Sequence, residues 1–363
     1  MIRTYLSTEA TPGDRGRAFG SDNQSAIAST IEAYRELFRA AAGTDVDLMQ
    51  YGGEAMSSIG DWAPTLAEEI EGIADGADLP IEFVAALNAR TEVLGAIRSQ
   101  FRGECSTLVS LGEDYSVAIQ TWDWHDSLKD RWLRWAIEHP DGRVVHTVTE
   151  FGIVGKIGIN ASGVGILLNI LHHRDDGGSI GVPVHVLARS ILDEAEDLNQ
   201  ALVRVASASV SASSALTLLQ SVGGEASALT AEVYPGGPQI LLPDERGVLL
   251  HTNHFLSDVA ARGERETVIG PDSFIRYDVL RRRLASAAPS SVTQALELMA
   301  SHIGGGGAVC AHPYPEAALG NRYATLATIW LDLEKGALTV REGGPCGAPI
   351  EGPGLVHRVS SGA

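Results

Sequence analysis

An α+β architecture of layered antiparallel sheets behind a helical lobe follows from three observations on this 363-residue chain. Apolar residues recur at helical spacing in the first hundred residues, and after Gly103 the texture changes to short runs of strand length. The later order is strands, then helices, then strands, which suits sheets covered by helices better than an alternating parallel fold. Glycine and acidic residues separate the strand-like runs, as hairpin turns require. Apolar residues make up 44% of the chain and charged residues 20%, enough for a substantial core.

In the lobe, 27–42 reads as a helix closed by Gly43. Segments 65–73 and 80–97 repeat the pattern, with Pro80 at a first helical position. Beyond it, 106–111 and 115–122 form a hairpin across Gly112-Glu113-Asp114. Strands are expected at 144–149, 151–159 and 163–170, followed by a helical pair at 184–207 broken near Glu196-Asp197. Strands return at 226–234, 239–242 and 248–252, and helices at 272–287 and 291–302. A loop at 304–307 leads to a final hairpin, 325–333 and 337–341, turning at Glu334-Lys335-Gly336.

Lys and Arg total 27 against 46 Asp and Glu, a net charge of −19. Such a surface repels phosphate backbones, which argues against nucleic acid as the main partner. Residues 1–104 carry 17 acidic and 8 basic side chains, so about half of this charge is the solvated face of the lobe. No run reaches the ~18 apolar residues of a membrane span, and the N-terminal stretch lacks the apolar core of a secretory signal. The expected location is cytoplasmic. Neither GxxxxGK[ST] nor HExxH occurs, and Leu168 stands where a dinucleotide fingerprint starting at Gly163 needs glycine. His172-His173 with Asp175-Asp176, and His251 with His254, are the metal-like clusters, though loop histidines are the commoner explanation. Cys105, Cys310 and Cys346 are odd in number, widely spaced and not in CxxC. This argues against a disulfide framework and a cysteine-rich zinc site. No metal or cofactor is expected.

Cys105 stands where the lobe ends and the first strand begins, directly after Gly103-Glu104. Its bland reading is a small apolar residue starting a strand. The hairpin, however, returns Asp123 of Gln120-Thr121-Trp122-Asp123-Trp124-His125 to its side. If the bond between Glu104 and Cys105 is cut, Cys105 becomes an N-terminal residue. Its α-amine, with an ordinary pKa of about 7.7–8.0, can then act as base for its own thiol at about 8.5. Nucleophile and base sit in one residue, and no separate histidine is required. The thiol can make the cut itself by attacking the preceding carbonyl, and Gly103 is expected to permit unusual backbone geometry there.

These residues resemble the acyl-coenzyme A:6-aminopenicillanic acid acyltransferase family of self-cleaving N-terminal-nucleophile (Ntn) enzymes. The resemblance rests on Glu104-Cys105-Ser106-Thr107, Trp122-Asp123-Trp124 and Gly158-Ile159-Asn160-Ala161-Ser162-Gly163-Val164-Gly165. It continues through His251-Thr252-Asn253-His254-Phe255, Asp272-Ser273-Phe274-Ile275-Arg276-Tyr277 and Gly344-Pro345-Cys346. It implies a four-layer αββα sandwich, with 1–104 as a helical leader and 105–363 as the catalytic chain, the two remaining associated after the cut. It also implies roles: Cys105 as nucleophile, Asp123 as the carboxylate holding the α-amine, Asn253 as donor to the oxyanion, and Arg276 as a cation setting local conformation. The sequence departs from the pattern at Glu104, where the penicillin acyltransferase has glycine. Gln120 stands where the related choloylglycine and penicillin V hydrolases carry arginine three positions before the aspartate, which places the chain with the acyltransferases.

The expected function is transfer of an acyl group, through a Cys105 thioester, from a small amide or acyl thioester to an amine or water. Acyl-coenzyme A is a candidate donor. Trp122 and Trp124 are candidate walls of an apolar acyl pocket, and the sequence leaves core packing open for them. Transfer and hydrolysis stay open too, as does assembly into a homo-oligomer. The alternatives are an uncleaved ligand-binding member of the fold and a metal hydrolase built on His172, His173 or His251.

Overall fold

The computed structural model describes residues 2–101, 103, 105–112, 115–285, 288–314, 316–319, 321–333, 335–347 and 357–358. The expected scissile-bond residue Glu104, the turn residues Glu113, Asp114 and Glu334, and the helix end expected at Ala287 lie outside them.

The lobe holds six helices among the described residues: α1 Pro12–Asp22, α2 Gln24–Ala42, α3 Leu48–Trp62, α4 Pro64–Ala77, α5 Ile81–Asn88 and α6 Arg90–Ala96. Thr11 caps α1, accepting from the Asp14 amide with Pro12 in the first turn, and Gly43 ends α2 with φ 73. Pro80 precedes α5 as its cap, and the single helix expected over 80–97 is broken at Ala89. Helices α1 and α4 cross at backbone contact. A Cβ on Gly16 would lie 2.1 Å from the Glu69 carbonyl, and one on Gly76 2.1 Å from the Arg17 carbonyl. The glycines therefore make room for a neighbouring helix.

Fourteen strands among the described residues form two sheets. In chain order they begin with β1 Arg3–Ser7, β2 Ser106–Leu111, β3 Ser116–His125, β4 Trp132–Glu138 and β5 Val144–Glu150. They continue with β6 Ile157–Asn160, β7 Gly165–Ile170 and β8 Ser214–Val222. The others are β9 Glu225–Val233, β10 Gln239–Leu241, β11 Val248–His251, β12 Tyr323–Asp332, β13 Ala337–Glu342 and β14 His357–Arg358. One sheet runs β1-β4-β5-β6-β7-β8-β9-β10, the other β11-β2-β3-β12-β13-β14. Every pairing is antiparallel except β1 with β4. Helices α7 Val184–Glu194 and α8 Leu198–Ser207 cover the first sheet. Helices α10 Asp272–Leu284 and α11 Val292–Met299 cover the second, packing Leu280, Leu284 and Met299 on Leu108, Ile119 and Trp330. A four-residue helix, α9 Glu266–Ile269, precedes α10. The layers are helix, sheet, sheet, helix, as the resemblance implies. Polar contacts tie the two sheets. Thr107 on β2 donates to Asn169 on β7 at 2.7 Å, and Gln120 on β3 takes both the Leu168 amide and its carbonyl.

The lobe is built into this frame. Its strand β1 forms an edge of the larger sheet, and Phe19 stacks on Trp135 of β4 at 4.1 Å. Glu69 on α4 is fully buried between Arg15 on α1 (2.8 Å) and the guanidinium of Arg189 on α7 (2.9 and 3.0 Å). Glu69→Ala would take the carboxylate from buried Arg15 and leave Arg189 with Asp193 in place of two carboxylates. The expected loss is about 3–5 kcal/mol, read from urea unfolding of the full chain. A midpoint equal to the parent's would refute the role.

Candidate active site

β2 and β3 pair with Ser106 opposite Thr121, so the residues before Ser106 and after Thr121 meet at one end of the hairpin. Cys105 lies there, nearly buried, with its Sγ 3.8 Å from the carbonyl oxygen of Asp123. The register thus brings the cysteine and the aspartate together. β12 supplies Thr325, opposite Asp123 in the same sheet. Thr121 donates to Asp123 Oδ2 at 3.3 Å, and the other carboxylate oxygen has no hydrogen-bond partner among the described residues.

Arg276, on α10 and fully buried, organises the backbone here. One guanidinium nitrogen donates to the Cys105 carbonyl at 2.9 Å and to Ser106 Oγ at 3.0 Å. The other donates to the Gly103 carbonyl at 3.4 Å and to Asn253 Oδ1 at 3.0 Å. Asp272, one helical turn back, receives Nε at 3.1 Å. Five donors in a planar fork suit this set of acceptors, and a point cation does not. Asn169 adds a donor to the Cys105 carbonyl at 3.0 Å.

Asn253 lies beyond β11, on a stretch held from several sides. His251 meets Glu232 at 2.9 Å, and Glu232 also accepts from the amides of Leu256 and Ser257. The Asn253 amide donates to Ser273 Oγ at 2.8 Å, and its Nδ2 donates to the Ile170 carbonyl at 2.8 Å. A Cβ on Gly103 would sit 2.7 Å from that Nδ2. The place of Gly103 is explained by this close approach.

Burial raises the Cys105 thiol to about 11, with the Asp123 charge pushing the same way. Burial also lifts Asp123 to about 7. Lys156, fully enclosed over the Trp122 ring at 3.7 Å and bound to Glu150 at 3.2 Å, is lowered by burial to about 7. The sequence reading missed Lys156. Its signal is a lone lysine in an apolar, glycine-rich stretch.

Trp124 borders a cleft with Phe101, Leu94, Ile170, Arg98 and Arg265. Its indole N–H is tied to Tyr34 Oη at 2.9 Å. Trp122 does not line this cleft and packs edge-on against Trp132 at 6.0 Å. The histidines of the metal-hydrolase alternative are engaged elsewhere. Both His251 nitrogens are occupied, by Glu232 and the Thr252 carbonyl, and His172 pairs with Glu266 at 2.7 Å. Among the described residues, none of His172, His173 and His251 belongs to a group of three or more metal-capable side chains.

The charge balance of Asp123 has a measurable consequence. Its folded pKa is raised, so between about 4 and 7 the folded chain keeps a proton that the unfolded chain sheds. Stability from the neutral carboxyl is full below about 4 and is lost as pH rises through 7. In an uncut Cys105→Ala background, adding Asp123→Asn is therefore expected to raise the melting temperature more at pH 8 than at pH 5. The difference should be on the order of a few kcal/mol. A gain larger at pH 5 would overturn this.

The family comparison makes this two-sheet chain an Ntn-type acyltransferase or amide hydrolase. The chain belongs to the acyl-coenzyme A:6-aminopenicillanic acid acyl-transferase family, whose model matches residues 110–345, more than half of its length. It is 28% identical over 283 residues to the acyl-coenzyme A:6-aminopenicillanic-acid-acyltransferase 40 kDa form of Emericella nidulans, covering 77% of each chain. Among solved structures it is similar to penicillin V acylase from Agrobacterium tumefaciens, with 16% identity, a TM-score of 0.43, and coverage of 66% of this chain and 83% of that one. It is also similar to a mutant of conjugated bile acid hydrolase from Clostridium perfringens, with 13% identity, a TM-score of 0.38, and coverage of 66% and 89%. No helix among the described residues is long and apolar enough to cross a membrane.

Proposed function

We propose that this chain activates itself by cutting between Glu104 and Cys105 and then moves acyl groups through a thioester on Cys105. The observation that carries the reading is the Arg276 guanidinium, which binds the Gly103 and Cys105 carbonyls on either side of that position. A cation so placed holds the backbone still while the thiol attacks. In the first step Cys105 Sγ adds to the Glu104 carbonyl carbon, the C–N bond breaks, and the amine takes a proton. Water opens the thioester, leaving the Glu104 carboxylate and a free Cys105 α-amine. Residues 1–104 become the leader and 105–363 the catalytic chain. The buried Glu69–Arg189 pair and the β1–β4 pairing support continued association of the two.

The new ammonium adds a second positive charge to the corner, beside that of Arg276. As the cation it would lie beside the unpartnered Asp123 oxygen and lower the thiol pKa, and as the neutral amine it accepts the thiol proton in turnover. The thiolate attacks the acyl carbonyl of a donor, and Asn253 Nδ2 donates to the oxyanion. Collapse expels the donor's thiolate or amine with the proton, and an amine or water then takes the acyl group. The relative from Emericella nidulans is named for an acyl-coenzyme A donor and 6-aminopenicillanic acid as acceptor. By the same logic, small acyl thioesters and amines are the proposed substrates here. The apolar walls of the cleft, Trp124, Phe101, Leu94 and Ile170, suit an acyl chain, and Arg98 and Arg265 suit an anionic end.

Intact mass of the purified wild-type chain tests both steps. It should resolve into pieces of 104 and 259 residues. Brief exposure to a panel of acyl thioesters should add one acyl mass to the larger piece, on the peptide that begins at Cys105. A fully active enzyme of uncut mass would refute the self-activation.

A further inference from the structure

We infer that His302, Cys310, His312 and Cys346 form a four-ligand structural zinc(II) site separate from the Cys105 corner. Their ligand atoms all lie within 4.8 Å of one another. His312 Nε2 is 3.2 Å from His302 Nε2, 3.7 Å from Cys310 Sγ and 3.4 Å from Cys346 Sγ. With Zn–N near 2.05 Å and Zn–S near 2.3 Å, the edges of a tetrahedron are roughly 3.3 Å between two nitrogens and 3.5 Å between nitrogen and sulfur. The three edges at His312, 3.2, 3.4 and 3.7 Å, lie close to those values. Two imidazoles and two thiols converging on one point are the donor set that zinc takes in closed structural sites.

The backbone is shaped for the convergence. Gly304, with φ 105, and Gly305, with φ 61, turn the chain between His302 and Cys310. The Cys310 amide donates back to the Ser301 carbonyl at 3.0 Å. Gly344 lies against Cys310, where a Cβ would be 2.4 Å from Sγ. The ligands come from the segment before β12 and the segment after β13, so the ion would staple the two. Ala311, between two ligands, exchanges hydrogen bonds with Thr325, at 2.9 Å to its Oγ1 and 3.0 Å from its amide. Thr325 stands opposite Asp123. The staple therefore braces the strand that lines the Asp123 side of the corner. Binding forms two Zn–S and two Zn–N bonds and releases the two thiol protons to solvent. All four positions are filled by protein, which leaves no open coordination site and makes the role structural.

Elemental analysis of the full chain, purified from zinc-supplemented cells without chelator, is expected to give about one zinc per chain. Cys346→Ser and His312→Ala, both at exposed positions, should each reduce it at least tenfold. Cys105→Ala should leave it unchanged, which separates this site from the catalytic thiol. Cobalt(II) should bind in its place with thiolate charge-transfer bands and the intense visible bands of tetrahedral geometry, and both should vanish in Cys346→Ser. Three results would each overturn the proposal: no bound zinc together with no tetrahedral cobalt spectrum, zinc undiminished in both variants, or a Cys310–Cys346 disulfide in the freshly purified chain.

Discussion

Cys105→Ala is expected to yield a single full-length chain of 363 residues with turnover reduced by about 10⁶-fold. Both losses have one cause, because the same sulfur is proposed to cut the chain and to carry the acyl group. Serine at this position separates them. Its hydroxyl is far harder to ionise than a thiol, so Cys105→Ser should cut slowly and turn over poorly. Alanine should do neither. The readouts are a denaturing gel followed over days and release of free thiol from an acyl thioester. The site is small and nearly buried, and alanine removes only the sulfur, so the melting temperature of the uncut chain controls for misfolding. Complete cutting of the alanine variant would assign the cut to another agent. Undiminished turnover would remove Cys105 from the chemistry.

Much of this corner was legible because its logic is local. A turn after β2 and a return through β3 bring Asp123 to Cys105 whatever else the chain does, and the pairing of Ser106 with Thr121 is that arithmetic in three dimensions. The helical pair at 184–207 broke where Glu196-Asp197 stands, since Asp197 caps α8 through the Gln200 amide. Other features depend on distant partners. β1 is a strand only because β4 offers an edge to it, and five residues of mixed polarity carry no alternation of their own. α1 and α3 were overlooked because their glycines, Gly13, Gly16 and Gly20 in one and Gly52, Gly53 and Gly60 in the other, read locally as helix breakers. In the fold, Gly16 and Gly20 admit α4, and Gly52 admits the Glu82 backbone. The strand expected over 151–159 begins only at Ile157, because Phe151 to Lys156 make the turn that puts Lys156 under Trp122. The wide cysteine spacing did not show that Cys310 and Cys346 approach one another, because spacing reads only along the chain and the two meet across a β-hairpin.

Arg276 is where local and distant terms meet, and its replacement carries the second large effect. Arg276→Met keeps the length and apolar stem of the side chain and removes every donor. The Gly103 and Cys105 carbonyls, Ser106 Oγ and Asn253 Oδ1 lose their shared fork, and the Asp272 carboxylate loses its Nε–H partner. Breaking one side of a buried pair costs about 3–5 kcal/mol, so the variant should unfold at clearly lower urea. Its cutting at 104–105 should slow by about 10²–10³-fold, as when a preorganised donor is lost from a reacting group. Arg276→Lys distinguishes charge from geometry. An ammonium on a flexible stem restores the charge near Asp272 but cannot reach four acceptors in one plane. It should recover much of the stability while cutting remains slow. If lysine instead restored cutting to the parent rate, charge alone would be what the corner needs. If methionine cut at the parent rate in a folded chain, the guanidinium would be structural and the proposed hold on the scissile backbone would be wrong.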